Sequence, residues 1–118
     1  MARKFYITTP IYYPSAKLHI GHAYCTTLAD SIARYHRIIG DETYFLTGTD
    51  EHGEKIQKNA EAKNMAPQEF VDEIVEGIQK LWKTLRISND DYIRTTQLRH
   101  EEVVQKVFSK MLENGDIY

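Results

Sequence analysis

Two histidines three residues apart, His19 and His22, form the pair of side chains whose spacing most directly suggests chemistry. A helical pattern begins at this pair and continues to about Ile39. Helix N-termini favour anions, because free backbone N–H groups and the helix dipole both point at them. Two imidazoles there can donate hydrogen bonds to a phosphate, and Gly21 between them lets a ligand approach the backbone closely. The alternative is a pair of solvated capping side chains.

A second polar group, Asp50, Glu51 and His52, follows a segment rich in strand-forming residues. Its carboxylates suit an ammonium group, a metal ion or a ribose hydroxyl. For His52, support of a ligand-binding residue and a loop-fixing hydrogen bond both remain open. The spacing of these residues relative to His19 and His22 matches no zinc template, so no metal site is predicted.

The elements that position these residues follow from periodicity. Residues 5–9 and 42–47 are predicted strands, and the helix between them makes a βαβ unit with parallel strands. In such sheets ligands bind beyond the carboxyl ends of the strands. The loop of residues 10–18 and the loop of residues 48–53 should therefore lie side by side, with Ile11, Tyr12 and Tyr13 as apolar walls.

The remaining elements are mostly helical. The first helix carries one apolar stripe, which is typical of a helix with one packed face: Ile20, Tyr24, Leu28, Ile32 and Tyr35. Further helices are predicted over residues 54–63, 67–85 and 97–113, with Trp82 in the core. Residues 92–95 are either a strand or an extended segment. With two clear strands and an open edge, the sequence predicts a piece of a larger α/β domain.

Composition excludes several classes of function. The chain has 118 residues and a net charge of −2, which argues against a dedicated nucleic-acid-binding surface. The single cysteine, Cys25, excludes an internal disulfide, and no apolar run reaches the ~20 residues that span a bilayer. No signal-peptide pattern follows the first residues, so we expect a cytoplasmic protein with no membrane partner. His36 and His100 are predicted to be solvated helix residues.

A family resemblance rests on two motifs. Residues 14–23, Pro-Ser-Ala-Lys-Leu-His-Ile-Gly-His-Ala, resemble the signature of the class I aminoacyl-tRNA synthetases. Residues 6–14 and 49–53 narrow this to the N-terminal catalytic-domain segment of the bacterial methionyl-tRNA synthetases, over essentially the whole chain. The resemblance implies an α/β fold, the N-terminal part of a Rossmann-like nucleotide-binding fold with parallel strands and flanking helices. Residues 1–118 would be the first half of that domain, apparently truncated.

The same resemblance implies a function and site roles. The enzyme would activate methionine with ATP to methionyl-adenylate and transfer it to tRNA, with this chain carrying half of the active site. His19 and His22 would be catalytic and would bind the ATP phosphates, and Gly21 would admit the adenine and ribose. The amino-acid side would consist of the methionine-binding residues Ile11, Tyr13 and Asp50 and the supporting residues Glu51 and His52.

Cofactors and partners follow from the family as well. The substrates would be ATP with Mg²⁺, methionine and tRNA. The structural zinc of the family is not expected within this chain. The fragment alone should be inactive or weak, and should self-associate or require the missing C-terminal part. Two alternatives stay open: another nucleotidyl transferase of the same superfold, and a non-catalytic fragment that acts only by associating with its complement.

Overall fold

The computed structural model describes residues 2–118, which form three strands and four helices around one sheet. The elements in chain order are β1 (Lys4–Thr8), α1 (Ile20–Ile38), β2 (Glu42–Thr49), α2 (Glu54–Ala62), α3 (Pro67–Thr84), β3 (Asp91–Arg94) and α4 (Leu98–Glu113). The sheet order is β1-β2-β3, and both pairings are parallel. The predicted α/β class, with parallel strands and flanking helices, is confirmed.

The central strand β2 sets the geometry of the carboxyl edge. It extends to Thr49, two residues beyond its predicted end, because β3 pairs with its last four residues. Residues 92–95, predicted to be either a strand or an extended segment, thus contribute to the strand β3. A Cβ built at Gly48 would lie 2.1 Å from the carbonyl oxygen of Ile93, so only glycine allows β2 and β3 to approach here.

The helix α3 packs as its periodicity predicts. One of its contacts is a cluster with α2, formed by Ile56, Ala60, Phe70 and Val71. A second cluster joins Ile78 and Trp82 to Tyr12 of the loop after β1. Trp82 is a core residue, as predicted, and burying side chains of this size contributes about 1.5–3 kcal/mol each. The loop after β1 is thus fixed to the same core as α3.

The apolar stripe of α1 faces away from the sheet, contrary to the expectation of a packed face. All five stripe residues are exposed, Ile20 most of all. The buried face consists instead of Thr26, Ala29, Asp30 and Ala33. The reason is steric, because the small Ala29 and Ala33 let the helix approach Phe45 of the sheet closely.

Charged residues of α1 complete that inward face. Asp30 accepts hydrogen bonds from the backbone N–H and the hydroxyl of Ser88, at 2.7 and 2.6 Å, and from Arg34 at 2.6 Å. Arg37 binds Ser88 and Asp90. Burial raises the pKa of Asp30, but the hydrogen bonds from Ser88 and Arg34 outweigh it and hold the pKa below its usual value. These bonds anchor the C-terminal half of α1 to the segment before β3.

The structure corrects the prediction for His36 and shows that α4 is exposed. His36 is not solvated: its ring stacks on Phe5 at 3.4 Å between centroids, and Nδ1 lies 2.6 Å from a carboxylate oxygen of Asp41. The helix α4 begins one residue later than predicted and buries none of its residues. Its apolar residues, among them Val104, Val107 and Phe108, are exposed.

Across residues 2–118, each helix is too short or too polar to cross a bilayer.

Candidate functional site

The two loops beyond the carboxyl ends of β1 and β2 lie side by side, as the parallel topology predicts. The N–H of Tyr12 donates to the carbonyl of Gly48 at 3.0 Å, and the N–H of Asp50 donates to the carbonyl of Tyr12 at 3.0 Å. Tyr12 also forms an isolated parallel bridge with Thr49. The loop after β1 therefore extends the sheet next to the end of β2 before it turns towards α1.

The histidine pair caps α1 through its own ring nitrogens. His19 is the N-cap, and its Nδ1 accepts the N–H of Gly21 at 3.1 Å. The Nδ1 of His22 accepts the N–H of His19, also at 3.1 Å. A Cβ at Gly21 would lie 2.9 Å from the ring of His19, so the glycine leaves room for this arrangement. Because each Nδ1 is an acceptor, each neutral ring carries its proton on Nε2.

Electrostatics suit this pair to an anion. Burial, together with the neighbouring His19, lowers the pKa of His22, which favours the neutral ring with Nε2–H as donor. The two ring centroids are 4.0 Å apart, and no acidic residue occupies the first turn of α1. Two Nε2–H donors thus stand at a helix N-terminus whose positive end is not neutralised locally, which is an arrangement for binding phosphate oxygens.

The three residues expected to wall the pocket play different roles. Tyr12 is buried, so it lies beneath the loop and is not a wall. Ile11 is 43% exposed and remains open to a ligand. Tyr13 packs against the cluster formed by α2 and α3, and its hydroxyl lies over Gly53, where a Cβ would come within 2.6 Å of it. Gly53 also has a φ of 128°, a conformation that favours glycine.

The two carboxylates after β2 differ sharply. The Glu51 side chain is fully buried, and its oxygens accept hydrogen bonds from Thr49 at 2.5 Å, Thr96 at 2.6 Å and Arg94 at 2.7 and 2.9 Å. The expectation that both carboxylates are offered to a ligand is therefore wrong for Glu51. Asp50 is half-buried and takes no part in this network. Its carboxylate is the one with capacity for a ligand.

Residues of β3 and the turn after it complete the loop. The N–H of Glu51 donates to the Thr95 hydroxyl at 2.8 Å, and Nε2 of His52 lies 3.2 Å from the Thr95 carbonyl oxygen. For His52 this is a loop-fixing hydrogen bond, one of the two roles left open. Arg94 also binds Asp72 of α3, and the hydrogen bonds to Glu51 outweigh burial and raise the pKa of Arg94.

Sequence reasoning missed this contribution of Arg94, Thr95 and Thr96. The available signal was an arginine at the end of a short apolar segment, next to two hydroxyl residues, in a chain whose second motif places a glutamate after a buried strand. A buried carboxylate requires a partner, and the third strand is where such a partner would be sought.

The wider surroundings of the site include a cavity. A cavity of about 660 Å³ lies behind the histidine loop, lined by residues 15–18 together with α2 and α3, and it includes none of the predicted site residues. Within residues 2–118, no three or more histidine, cysteine, aspartate or glutamate side chains converge as metal ligands would.

Comparisons with known proteins show which family the chain resembles. The family model described as tRNA synthetases class I (M) matches residues 5–118. The chain is 65% identical over 114 residues to the methionine–tRNA ligase of Bacillus subtilis, covering 97% of this chain and 17% of that protein. It is 62% identical over 118 residues to the corresponding ligase of Caldanaerobacter subterraneus, covering all of this chain and 18% of that protein. The chain thus spans less than a fifth of these relatives.

Solved structures give the same result. The Mycobacterium tuberculosis methionyl-tRNA synthetase bound by methionyl-adenylate superimposes with a TM-score of 0.96 at 39% identity, over 98% of this chain and 23% of that one. A leucyl-tRNA synthetase from Agrobacterium radiobacter, at 24% identity and a TM-score of 0.91, shares the fold. Since the family model matches nearly the whole chain, the chain belongs to the class I (M) family of tRNA synthetases.

Proposed function

We propose that this chain carries half of a site that activates methionine with ATP, giving methionyl-adenylate and pyrophosphate before transfer to tRNA. One observation carries the proposal. The loop after β1 leads to two Nε2–H donors at the N-terminus of α1, and its backbone bonds that of Asp50. The carboxylate of Asp50 lies outside the hydrogen bonds of Glu51. Phosphate and ammonium groups are thus each offered a complementary partner on one sheet edge.

The chemistry requires charge stabilisation and positioning. A carboxylate oxygen of methionine attacks the α-phosphorus of ATP, the bond from that phosphorus to the oxygen bridging to the β-phosphate breaks, and pyrophosphate leaves with the electron pair. His19 and His22 would donate from Nε2 to the phosphate oxygens while charge moves towards the leaving group. Such preorganised donors act on developing charge and add no covalent intermediate.

The amino-acid side follows from the exposure of its residues. Asp50 would bind the methionine α-ammonium, assisted by the backbone at Ile11, and Ile11 and Tyr13 would contact the thioether side chain. Glu51 and His52 would support Asp50 by fixing its loop. This division rests on the burial of Glu51 and on the half-buried position of Asp50.

Other components of the reaction belong to the same proposal. ATP would arrive with Mg²⁺, Gly21 would leave room for the nucleotide at the helix start, and tRNA would accept the methionyl group. Residues 1–118 would be the first half of the catalytic domain, and the structural zinc of the family would be held elsewhere. The chain spans 17–18% of these relatives, so most of their length remains for the other parts of the domain and for a zinc site.

A second proposal concerns association of the chain with its complement. The outward stripe of α1 and the whole apolar side of α4 are exposed, which is unusual for helices of a finished domain. We propose that further parts of the catalytic domain cover these faces in the full-length protein. The isolated chain should then self-associate, and sedimentation of the chain alone and of the chain mixed with its complement distinguishes this from a stable monomer.

ATP–pyrophosphate exchange tests the proposed activity. The full-length protein should exchange pyrophosphate into ATP in the presence of methionine, and much less with leucine or cysteine at the same concentration. The isolated chain should show little or none. Exchange that depends on an acceptor other than an amino acid would favour another nucleotidyl transferase, and its complete absence from the full-length protein would contradict the proposal.

A further inference from the structure

One buried side chain, Tyr12, contacts both halves of the candidate site. We propose that Tyr12 is a positioning residue whose hydroxyl holds the histidine end of α1 in register with the Asp50 loop. The inference rests on the proposed function, and it assigns Tyr12 a role in orienting His22, with no direct contact to substrate.

The backbone of Tyr12 fixes the amino-acid side. Its N–H and carbonyl bond Gly48 and Asp50, both at 3.0 Å, so the backbone position of Asp50 is set by Tyr12 itself. These bonds involve no side-chain atom of Tyr12. Any substitution that preserves the fold of the loop should therefore leave the position of Asp50 unchanged.

The side chain of Tyr12 reaches the phosphate side. Its hydroxyl lies 2.8 Å from the Thr26 hydroxyl and 3.4 Å from the carbonyl oxygen of His22, one turn earlier on α1. Its ring meets the ring of His22 edge to face, with centroids 4.9 Å apart. Thr26 is fully buried, so the two hydroxyls have no access to water as a substitute.

This hydroxyl pair is a buried polar link between the loop after β1 and the first turns of α1. The charged anchors of that helix, Asp30, Arg34 and Arg37, lie further along it. Without the hydroxyl of Tyr12, the N-terminal turn would be held mainly by packing against the Tyr12 ring. A small displacement of a catalytic group lowers the reaction rate more than it lowers substrate affinity, because the reaction tolerates less variation in geometry than binding does.

The experiment measures pyrophosphate exchange in the full-length protein carrying Tyr12→Phe. We expect kcat to fall about tenfold while the KM for methionine stays within about twofold, since the backbone bonds to Asp50 remain. Thr26→Val removes the other hydroxyl and should give the same result. The double variant should lose no more than the worse single variant, because the two hydroxyls act as one unit.

Thr47→Val is the matched control. It breaks a buried hydroxyl pair of the same kind, Thr9 to Thr47 at 2.7 Å, at the same sheet edge, and it removes no hydroxyl that bonds α1 directly. It should lower thermal stability to a similar extent and leave kcat within about twofold.

Several outcomes would overturn the inference alone: unchanged kcat in both Tyr12→Phe and Thr26→Val, a rise in the KM for methionine at unchanged kcat, multiplicative losses in the double variant, or an equal loss of kcat in Thr47→Val. Should Tyr12→Phe fail to fold, Thr26→Val alone decides. A wild-type protein without methionine-dependent exchange would instead refute the proposed function and, with it, this assignment.

Discussion

The two loops at the carboxyl edge of the sheet are held in opposite ways. The loop after β2 is fixed by a buried glutamate, an arginine and three threonine hydroxyls, which join β2, β3 and the turn that follows. The histidine end of the loop after β1 is held by its own ring-to-backbone bonds and by Tyr12. The loop after β2 is held by buried charged groups, whereas the histidine end of the loop after β1 presents free Nε2–H donors.

The difference matches the demands of the two ligands that we propose. A small ammonium group is recognised by one carboxylate, whose position must be set before binding, and the Glu51 network sets it without occupying it. A triphosphate is large and extended, so its donors must stay accessible at the helix end. The buried charges therefore lie behind the proposed amino-acid side, and the proposed phosphate side is left open.

Arg94→Ala tests the rigid side and should have the largest effect. It leaves the buried Glu51 carboxylate without its cationic partner, which typically costs about 3–5 kcal/mol of unfolding free energy. Urea unfolding of the chain, followed by the fluorescence of Trp82 at one protein concentration for all variants, measures it. The control Arg99→Ala breaks an exposed pair with Asp91 and should cost much less, because solvent screens exposed ion pairs. Equal losses in the two variants would show that the Glu51 network is not what holds this loop.

His19→Ala and His22→Ala test the open side. Each removes one Nε2–H donor, which should slow single-turnover adenylate formation in the full-length protein by roughly 10²–10³, about 3–4 kcal/mol. Methionine affinity should change little, because Asp50 and Ile11 are untouched. His100→Ala, on α4, is the control and should leave the rate unchanged. A loss confined to methionine affinity, with normal adenylate formation, would contradict the assignment.

Asp50→Asn separates the two carboxylates. Loss of a charged partner for the α-ammonium should weaken methionine binding by about 10–100-fold in equilibrium titration. Chain stability should be nearly unchanged, since Asp50 lies outside the Glu51 network. Glu54→Gln, at an exposed carboxylate four residues later, should alter neither quantity. Unchanged methionine affinity in Asp50→Asn would remove Asp50 from the site.

Asp30→Asn concerns the anchor of the histidine helix far from its open end, and its effect should be the smallest. The folded pKa of Asp30 lies below its usual value, so its contribution is present above the unfolded pKa near 4 and is lost as pH falls through the folded pKa. The variant should be less stable by about 1.5 kcal/mol at pH 7. Urea unfolding should show this gap narrowing towards pH 2, and a gap that widens on acidification would contradict it.

Most of the fold could be predicted from periodicity and punctuation. The βαβ unit, the helix starting at Pro67 and the core position of Trp82 all follow from local pattern. The outward face of α1 could not, because its stripe satisfies the amphipathic template, and only the close approach of Ala29 and Ala33 to Phe45 reverses it. His36 likewise looked solvated until the chain brought Phe5 and Asp41 to it.

The sequence by itself determined which chemistry is available: a histidine pair at a helix start, a carboxylate at the end of the next strand, and two motifs of one enzyme family. Local spacing suffices for this, because helix ends and parallel strand ends have fixed geometry. The tertiary structure decided which of these groups remain available to a ligand. It buried Glu51 against Arg94, left Asp50 outside that network, and placed Tyr12 beneath the loop. The Glu51–Arg94 pair joins residues 43 positions apart, and no local pattern encodes it.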